Sequence, residues 1–280
     1  MNRMSIKVFG GMLKLVLVCL LFGLFPPVLL PGSVNYYGQI GVIRGVVEVL
    51  PAGSKDWKPA VEAMPVRQGD RIKTGERASC CLELDDGSVI SIGAGTETAV
   101  DSLEATSEKH DSVISMYLGK IIANIAKTKN TKMQLRTPTA VVAVRGTEFA
   151  ADAAKDSTEV GVFSGQVDVK NADVAVPGEV TLKPDEETSV PAAAAPERPK
   201  YLSDLMKKNK ERNSELRNRV KALREKFART TPGQRAAERE LALKRFDAIK
   251  AGQAAQKEKL RDERRELRKS REKIRMNKAE

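Results

Sequence analysis

The chain has 280 residues but only one histidine, His110, and three cysteines, and aromatic residues make up just 4% of it. Each scarcity excludes something. One histidine leaves no pair for a histidine-based metal site, and in the polar stretch TSEKHDS it reads as a solvated loop residue. Cys19 lies in an apolar N-terminal run, which leaves the adjacent Cys80 and Cys81 for the rest of the chain. Neighbours on a strand point to opposite faces, so this is neither a disulfide framework nor a zinc pattern. There is no G-x-S-x-G, no phosphate-binding loop and no His/Cys cluster. No catalytic, cofactor-binding or metal-binding residue is assigned, and a non-enzymatic protein without cofactors is expected. With few aromatics, the core must be built from Val, Ile, Leu and Ala.

Charge is plentiful but uneven. Lys and Arg number 48 against 37 Asp and Glu. Residues 197–280 hold 28 of the basic and 14 of the acidic residues, a net +14, which leaves 20 and 23, a net −3, for residues 1–196. The basic character therefore belongs to the C-terminal third. It fits either an anionic partner or a solvated helix kept soluble by like charge.

The first 33 residues read as a signal peptide or signal anchor. Arg3, Lys7 and Lys14 precede the apolar run Leu15–Leu30, and small residues Gly32 and Ser33 follow. Cleavage would release the chain outside the cytoplasm. Retention would hold it at the inner membrane, and membrane contact is expected only in that case. Either way the remainder is placed in the periplasm or otherwise outside the cytoplasm.

Residues 38–191 read as mainly β: short alternating runs separated by turn signals, consistent with a sandwich, a roll or a β-solenoid. RASCCLEL, the turn Asp85-Asp86-Gly87 and SVISIG form a hairpin signal. On that strand Ala78, Cys80, Leu82 and Leu84 share one face and Cys81 and Glu83 the other, so Cys80 is expected buried and Cys81 more exposed. VISMYLGKIIANI continues the pattern, although its middle also fits a helix.

Residues 192–200 form a Pro/Ala linker, expected to be semi-rigid. From 201 to 280 the chain reads as a basic tail of two helices. Leu202, Met206, Asn209, Asn213, Leu216, Val220, Leu223 and Phe227 alternate in steps of four and three. That heptad seam fits either a coiled coil between copies, giving a homo-oligomer through 202–227, or a face docked on the same molecule. Thr231-Pro232 reads as a helix cap followed by proline at the first helical position. The second helix is expected from about Gln234 to Met276, on the order of 65 Å long. Leu260, Leu267 and Ile274 alternate on it with Lys257, Arg264 and Arg271, a poor seam on a charge-laced rod.

Several β segments together resemble a FecR domain, the extracytoplasmic domain of the iron-transport regulator family. GVIRGVVEVL precedes the lone Trp57. RQGDRIKTGERASCCLELDDGSVISI supplies G-D-x-I-x-T-G and L-D-D-G-S elements, with Gly69, Asp70, Thr74, Gly75, Asp86 and Gly87. YLGKI follows, then RTPTAVVAVRGTEF with Thr137, Pro138, Arg145, Gly146, Thr147, Glu148 and Phe149, and finally VFSGQVDV. The resemblance covers about residues 38–191. The glycines and aspartates read as turn chemistry, and Pro138 suits a strand start. Arg145 follows an apolar run, so it is expected partly buried against Glu148 or Asp70, as a structural staple rather than a site.

The resemblance implies function through protein contacts. FecR-type regulators carry a cytoplasmic anti-sigma region before their membrane span, and here about fourteen residues precede the apolar stretch, so that role is not simply transferred. The expected function is that of an exported FecR-domain binding or scaffold protein of the cell envelope, its basic tail serving oligomerisation or attachment. The partner would be an envelope protein or an anionic envelope polymer. The alternative is an envelope signalling component that works through protein–protein contacts. Nucleic acid is disfavoured, because Tyr201, Phe227 and Phe246 are the tail's only aromatics.

Overall fold

A computed structural model of the chain describes residues 38–105, 110–127 and 131–276. The signal-peptide or anchor expectation for residues 1–33 lies outside them. Among the described residues no helix is long and apolar enough to cross a membrane.

Among the described residues seventeen strands precede two helices. The strands are β1 (Gly38–Arg44), β2 (Val47–Leu50), β3 (Lys58–Pro59), β4 (Pro65–Val66), β5 (Arg71–Thr74), β6 (Ser79–Leu84), β7 (Val89–Ile92), β8 (Glu97–Ala105) and β9 (His110–Asn124). They continue with β10 (Thr131–Arg136), β11 (Ala140–Val144), β12 (Glu148–Ala153), β13 (Ser157–Ser164), β14 (Val167–Asn171), β15 (Glu179–Leu182), β16 (Glu186–Pro191) and β17 (Lys200–Tyr201). The helices are α1 (Asp204–Arg229) and α2 (Pro232–Met276).

The strands form two layers. One runs β4-β1-β6-β7-β9-β12-β13-β16-β17, all antiparallel. The other runs β3-β2-β5-β8-β9-β10-β11-β14-β15, antiparallel except for the parallel pair β9–β10. The expected mainly β domain followed by a helical tail is what the chain forms. Alternation places one face of each strand in the shared core: β11 buries Ala140, Val142 and Val144, and β14 buries Val167, Val169 and Asn171. Ile40, Ile72, Leu82, Ile114, Leu135 and Phe149 meet in that core and are all essentially inaccessible.

β9 belongs to both layers. Its first half pairs with β8 and β10, its second with β7 and β12. VISMYLGKIIANI is thus one continuous strand with no helix in its middle, and His110 starts that strand rather than sitting in a loop. The crossing falls at Gly119, whose φ is +104°. A side chain there would clash with Thr96 Oγ1. Thr96, fully buried, accepts from the Lys120 amide at 2.9 Å, and its own amide donates to Thr74 Oγ1 at 2.9 Å. Two threonine hydroxyls therefore satisfy backbone groups where the strand leaves one ladder for the other.

The 192–200 segment is not a free spacer. Asn171 Nδ2 donates to the Pro191 and Ala194 carbonyls at 2.8 and 2.7 Å, and Thr188 Oγ1 donates to the Glu197 carbonyl at 2.7 Å. These bonds deliver the chain to β17 and then to α1 with little slack.

α1 lies across the outer face of the first layer. Leu202, Met206, Leu216, Val220 and Leu223, with Phe227 beside them, cover Cys81, Val89, Ile122, Ala150 and Phe163. The heptad seam is thus consumed within the molecule. Full burial of each such side chain contributes on the order of 1.5–3 kcal/mol before ordering costs. Cys81 lies under this helix at 8% exposure against 1% for Cys80, so the expected order of exposure holds, with both thiols buried.

Candidate functional site

α1 begins where Ser203 caps it. The Ser203 hydroxyl accepts from the Met206 amide at 3.4 Å and donates to Glu187 Oε2 at 2.9 Å. α2 begins on a capping box: the Thr231 amide donates to Gln234 Oε1 at 2.8 Å, and the Gln234 amide to Thr231 Oγ1 at 3.3 Å. Proline at 232 completes the start that the sequence signals, two residues before the expected Gln234.

Between these caps the helix is held by a polar hub on Glu148. Arg217 donates to Glu148 Oε2 from Nε at 2.8 Å and from Nη2 at 2.7 Å. Asn213 Nδ2 donates to the same oxygen at 2.6 Å, and Asn124 Nδ2 to Oε1 at 3.0 Å. The hydrogen bonds that Arg217 donates to Glu148 raise it above its ordinary pKa. Asn209 and Asn213 are fully buried in the otherwise apolar seam, and the Oδ1 atom of each has no partner.

A second contact lies at the β6–β7 turn. Arg224 of α1 donates from Nε to the Gly87 carbonyl at 3.2 Å and from Nη2 to Asn124 Oδ1 at 3.2 Å. Arg239 of α2, only 1% exposed, forks onto Asp85 with Nη1–Oδ2 at 3.1 Å and Nη2–Oδ1 at 2.5 Å. Arg235 lies 3.5 Å from the same carboxylate and stacks 4.6 Å from the Phe227 ring. Both helices therefore grip one short turn. Beyond it Phe246 joins the sandwich core. From Asp247 to Arg268 every position whose side chain is described is exposed, so the far end of α2 stands off as an arm.

The sequence-selected residues divide among several places. Gly69 and Asp70 form a turn in which the buried Asp70 accepts from the Ala52 and Arg67 amides, each at 2.8 Å. Burial pushes the Asp70 carboxyl up, and those two amides oppose it. Thr74 bonds the Gly93 carbonyl, and the Gly75 amide bonds Val46. Asp86 closes its turn onto the Ser88 amide and hydroxyl, both at 2.8 Å, and Gly87 follows at φ +83°. Thr137, ahead of Pro138, shares a buried hydroxyl cluster with Thr139 and Thr158. Thr147 ties the Gly146 turn to the Gln166 carbonyl at 3.0 Å, and Phe149 is fully buried. Arg145 overturns its expectation of burial: it is exposed. Among the described residues the buried arginine is Arg239, which the sequence did not single out.

Beside α1 a cleft of about 860 Å³ opens against the outer faces of β1, β6, β7 and β9. On the opposite layer, which neither α1 nor α2 covers, Arg71 pairs with Glu97 and lies 5.8 Å from the Trp57 ring and 5.1 Å from that of Tyr117. Among the described residues no group of three or more His, Cys, Asp or Glu could hold a metal ion.

The described chain is thus a two-layer β domain clasped by its own C-terminal helices. Residues 70–168, the middle of the sandwich, match the family model described as FecR protein. No curated protein matches the chain. Two crystal structures of a "putative anti-sigma factor" from Parabacteroides distasonis ATCC 8503 are similar at 24% identity, with a TM-score of 0.40, over 47% of this chain. The matched region is 59% of the length of those structures.

Proposed function

We propose that this chain is an extracytoplasmic, non-enzymatic FecR-domain protein that works through protein contacts as a component of envelope signalling. The observation that carries this reading is the Glu148 hub. A carboxylate inside the V-R-G-T-E-F segment anchors the chain's own α1, so the matched domain and the tail form one protein-binding body. Export follows from the N-terminal apolar segment. Homo-oligomerisation through 202–227 is not part of the proposal, because that seam is buried on the sandwich.

A second reading has its own support. The exposed arm of α2 carries Lys259, Arg261, Arg264, Arg265 and Arg268, and suits attachment of a scaffold to an anionic envelope polymer. Photo-crosslinking in intact envelopes separates the two readings, with a crosslinkable residue in turn at Tyr117, Arg212 and Lys259 of the full chain. Discrete protein adducts at Tyr117 or Arg212 are expected. Adducts to glycan or lipid at Lys259 alone favour attachment, and an absence of adducts at all three overturns both.

A further inference from the structure

The cleft beside α1 has an unusual charge arrangement. Its walls carry Arg44 from the end of β1 and Arg212 and Arg219 from α1. Among the described residues neither Arg44 nor Arg212 is paired with a carboxylate, and Arg219 donates only to the Cys81 sulfur, at 3.4 Å. Two further cations on the rim are already neutralised, Lys120 by Asp152 at 2.9 Å and Lys226 by Glu238 at 2.8 Å. Glu83 and Glu215 also face the cleft, and Glu83 is occupied by Gln39 Nε2 at 2.9 Å. Three guanidiniums with unused donors thus converge on a concave surface. A guanidinium has a rigid fork of donors that matches a carboxylate.

The shape narrows the ligand. The cleft follows α1 from Arg212 to Lys226, about 21 Å at the helical rise. Arg212 and Arg219 lie on one side of the helix, about 10 Å apart along its axis. An extended peptide rises about 3.3 Å per residue, so acidic side chains two to four residues apart on one segment reach both arginines. Ile122, Leu216 and Leu223 give the cleft apolar surface, which suits peptide side chains better than a fully hydrated polyphosphate or acidic glycan.

We propose that this cleft docks an extended, acidic and partly apolar peptide segment of a partner protein, with Arg44, Arg212 and Arg219 reading its carboxylates. This rests on the reading that the chain works through protein contacts and names where one contact falls.

Cys81 lines the cleft and reports on its occupancy. The test uses the full chain, a fluorescent (Glu-Leu)4 peptide, the matched (Lys-Leu)4 peptide and inorganic polyphosphate. Anisotropy reads binding, and mass mapping reads the modification rate of Cys81 by methyl methanethiosulfonate. The acidic peptide is expected to bind saturably and, at ten times its Kd, to slow Cys81 modification about tenfold. Arg212→Glu, an exposed change on the helix, and Arg44→Ala, on the opposite wall, are each expected to weaken binding about tenfold or more. Binding that both variants leave unchanged, or that does not protect Cys81, overturns the proposal. So does equal protection by polyphosphate or the lysine peptide. If the cleft fails while Tyr117 crosslinks to protein, the contact reading stands and the partner sits on the other layer.

Discussion

Glu148 and Arg217, 69 residues apart in sequence, meet with both guanidinium bonds on a single carboxylate oxygen, at 2.8 and 2.7 Å. The bond joins a strand of the FecR-matched segment to a helix outside it, and Asn213 donates to the same oxygen from a fully buried position.

The hub's acceptor, Glu148, and its exposed donor, Arg217, differ in weight. Glu148→Ala strands the buried Asn213 amide and is expected to cost about 2–3 kcal/mol. Arg217→Ala is expected to cost less than about 1 kcal/mol, because its side chain is half exposed and screened. Chemical unfolding gives both values. Amide exchange along 204–229 should quicken in the Glu148 variant before it does in the strands.

Arg239 and Arg145 should separate just as clearly. Removing Arg239 leaves Asp85 in a largely enclosed position without its fork, and Arg239→Ala is expected to cost about 3–5 kcal/mol. Arg145 is exposed, so Arg145→Ala is expected to stay within about 0.5 kcal/mol of the parent. Thermal unfolding of the two variants side by side decides this, and equal losses would refute it.

Gly119→Ala places a methyl group against Thr96 at a left-handed backbone position. A loss on the order of 3 kcal/mol or more is expected. Because β9 serves both layers, the variant's unfolding should remain one transition, followed by near-ultraviolet dichroism of Trp57 on one layer and by thiol accessibility of Cys81 on the other.

Burial pushes the Cys80 thiol up to about 12, with the neighbouring Cys81 adding to the rise, and burial raises Cys81 as well. A thiol whose folded pKa lies above its unfolded value of 9.0 keeps the fold stable below that value. Its contribution falls as pH rises through the window from about 9 to about 12. The stability of Cys80→Ala relative to the parent is therefore expected to improve steadily above pH 9, as measured by denaturant midpoints. A constant difference would refute the assignment.

Much of this was readable locally. Turns at Gly69-Asp70 and Asp86-Gly87, the β6–β7 hairpin, the proline-started second helix and the heptad seam rest on interactions within a few residues, and those are written in sequence. The destination of the seam was not. Asn209 and Asn213 look like register-setting residues of a coiled coil, and only the fold shows Asn213 meeting a strand carboxylate. β9 was obscured because the middle of VISMYLGKIIANI also fits a helix, whereas Gly119 there marks a change of layer within one strand. Arg145 was misplaced although strand alternation held the answer: with Val142 and Val144 inward, Ala143 and Arg145 must point out. Arg239 had no such signal. It lies in a helix charged on every side, and nothing local distinguishes its face.

The three-residue turn Asp85-Asp86-Gly87 is held by Arg224 from one helix and by Arg239 from the other. Mechanically, this makes it a fulcrum. The exposed end of α2 is a rigid lever, and a pull or push on its tip is delivered through Arg239 to the β6–β7 hairpin, beside the mouth of the cleft. A load on the arm would therefore be felt first at the hairpin whose outer face carries Cys81, while the uncovered layer with Trp57 and Tyr117 lies farther down the line of force.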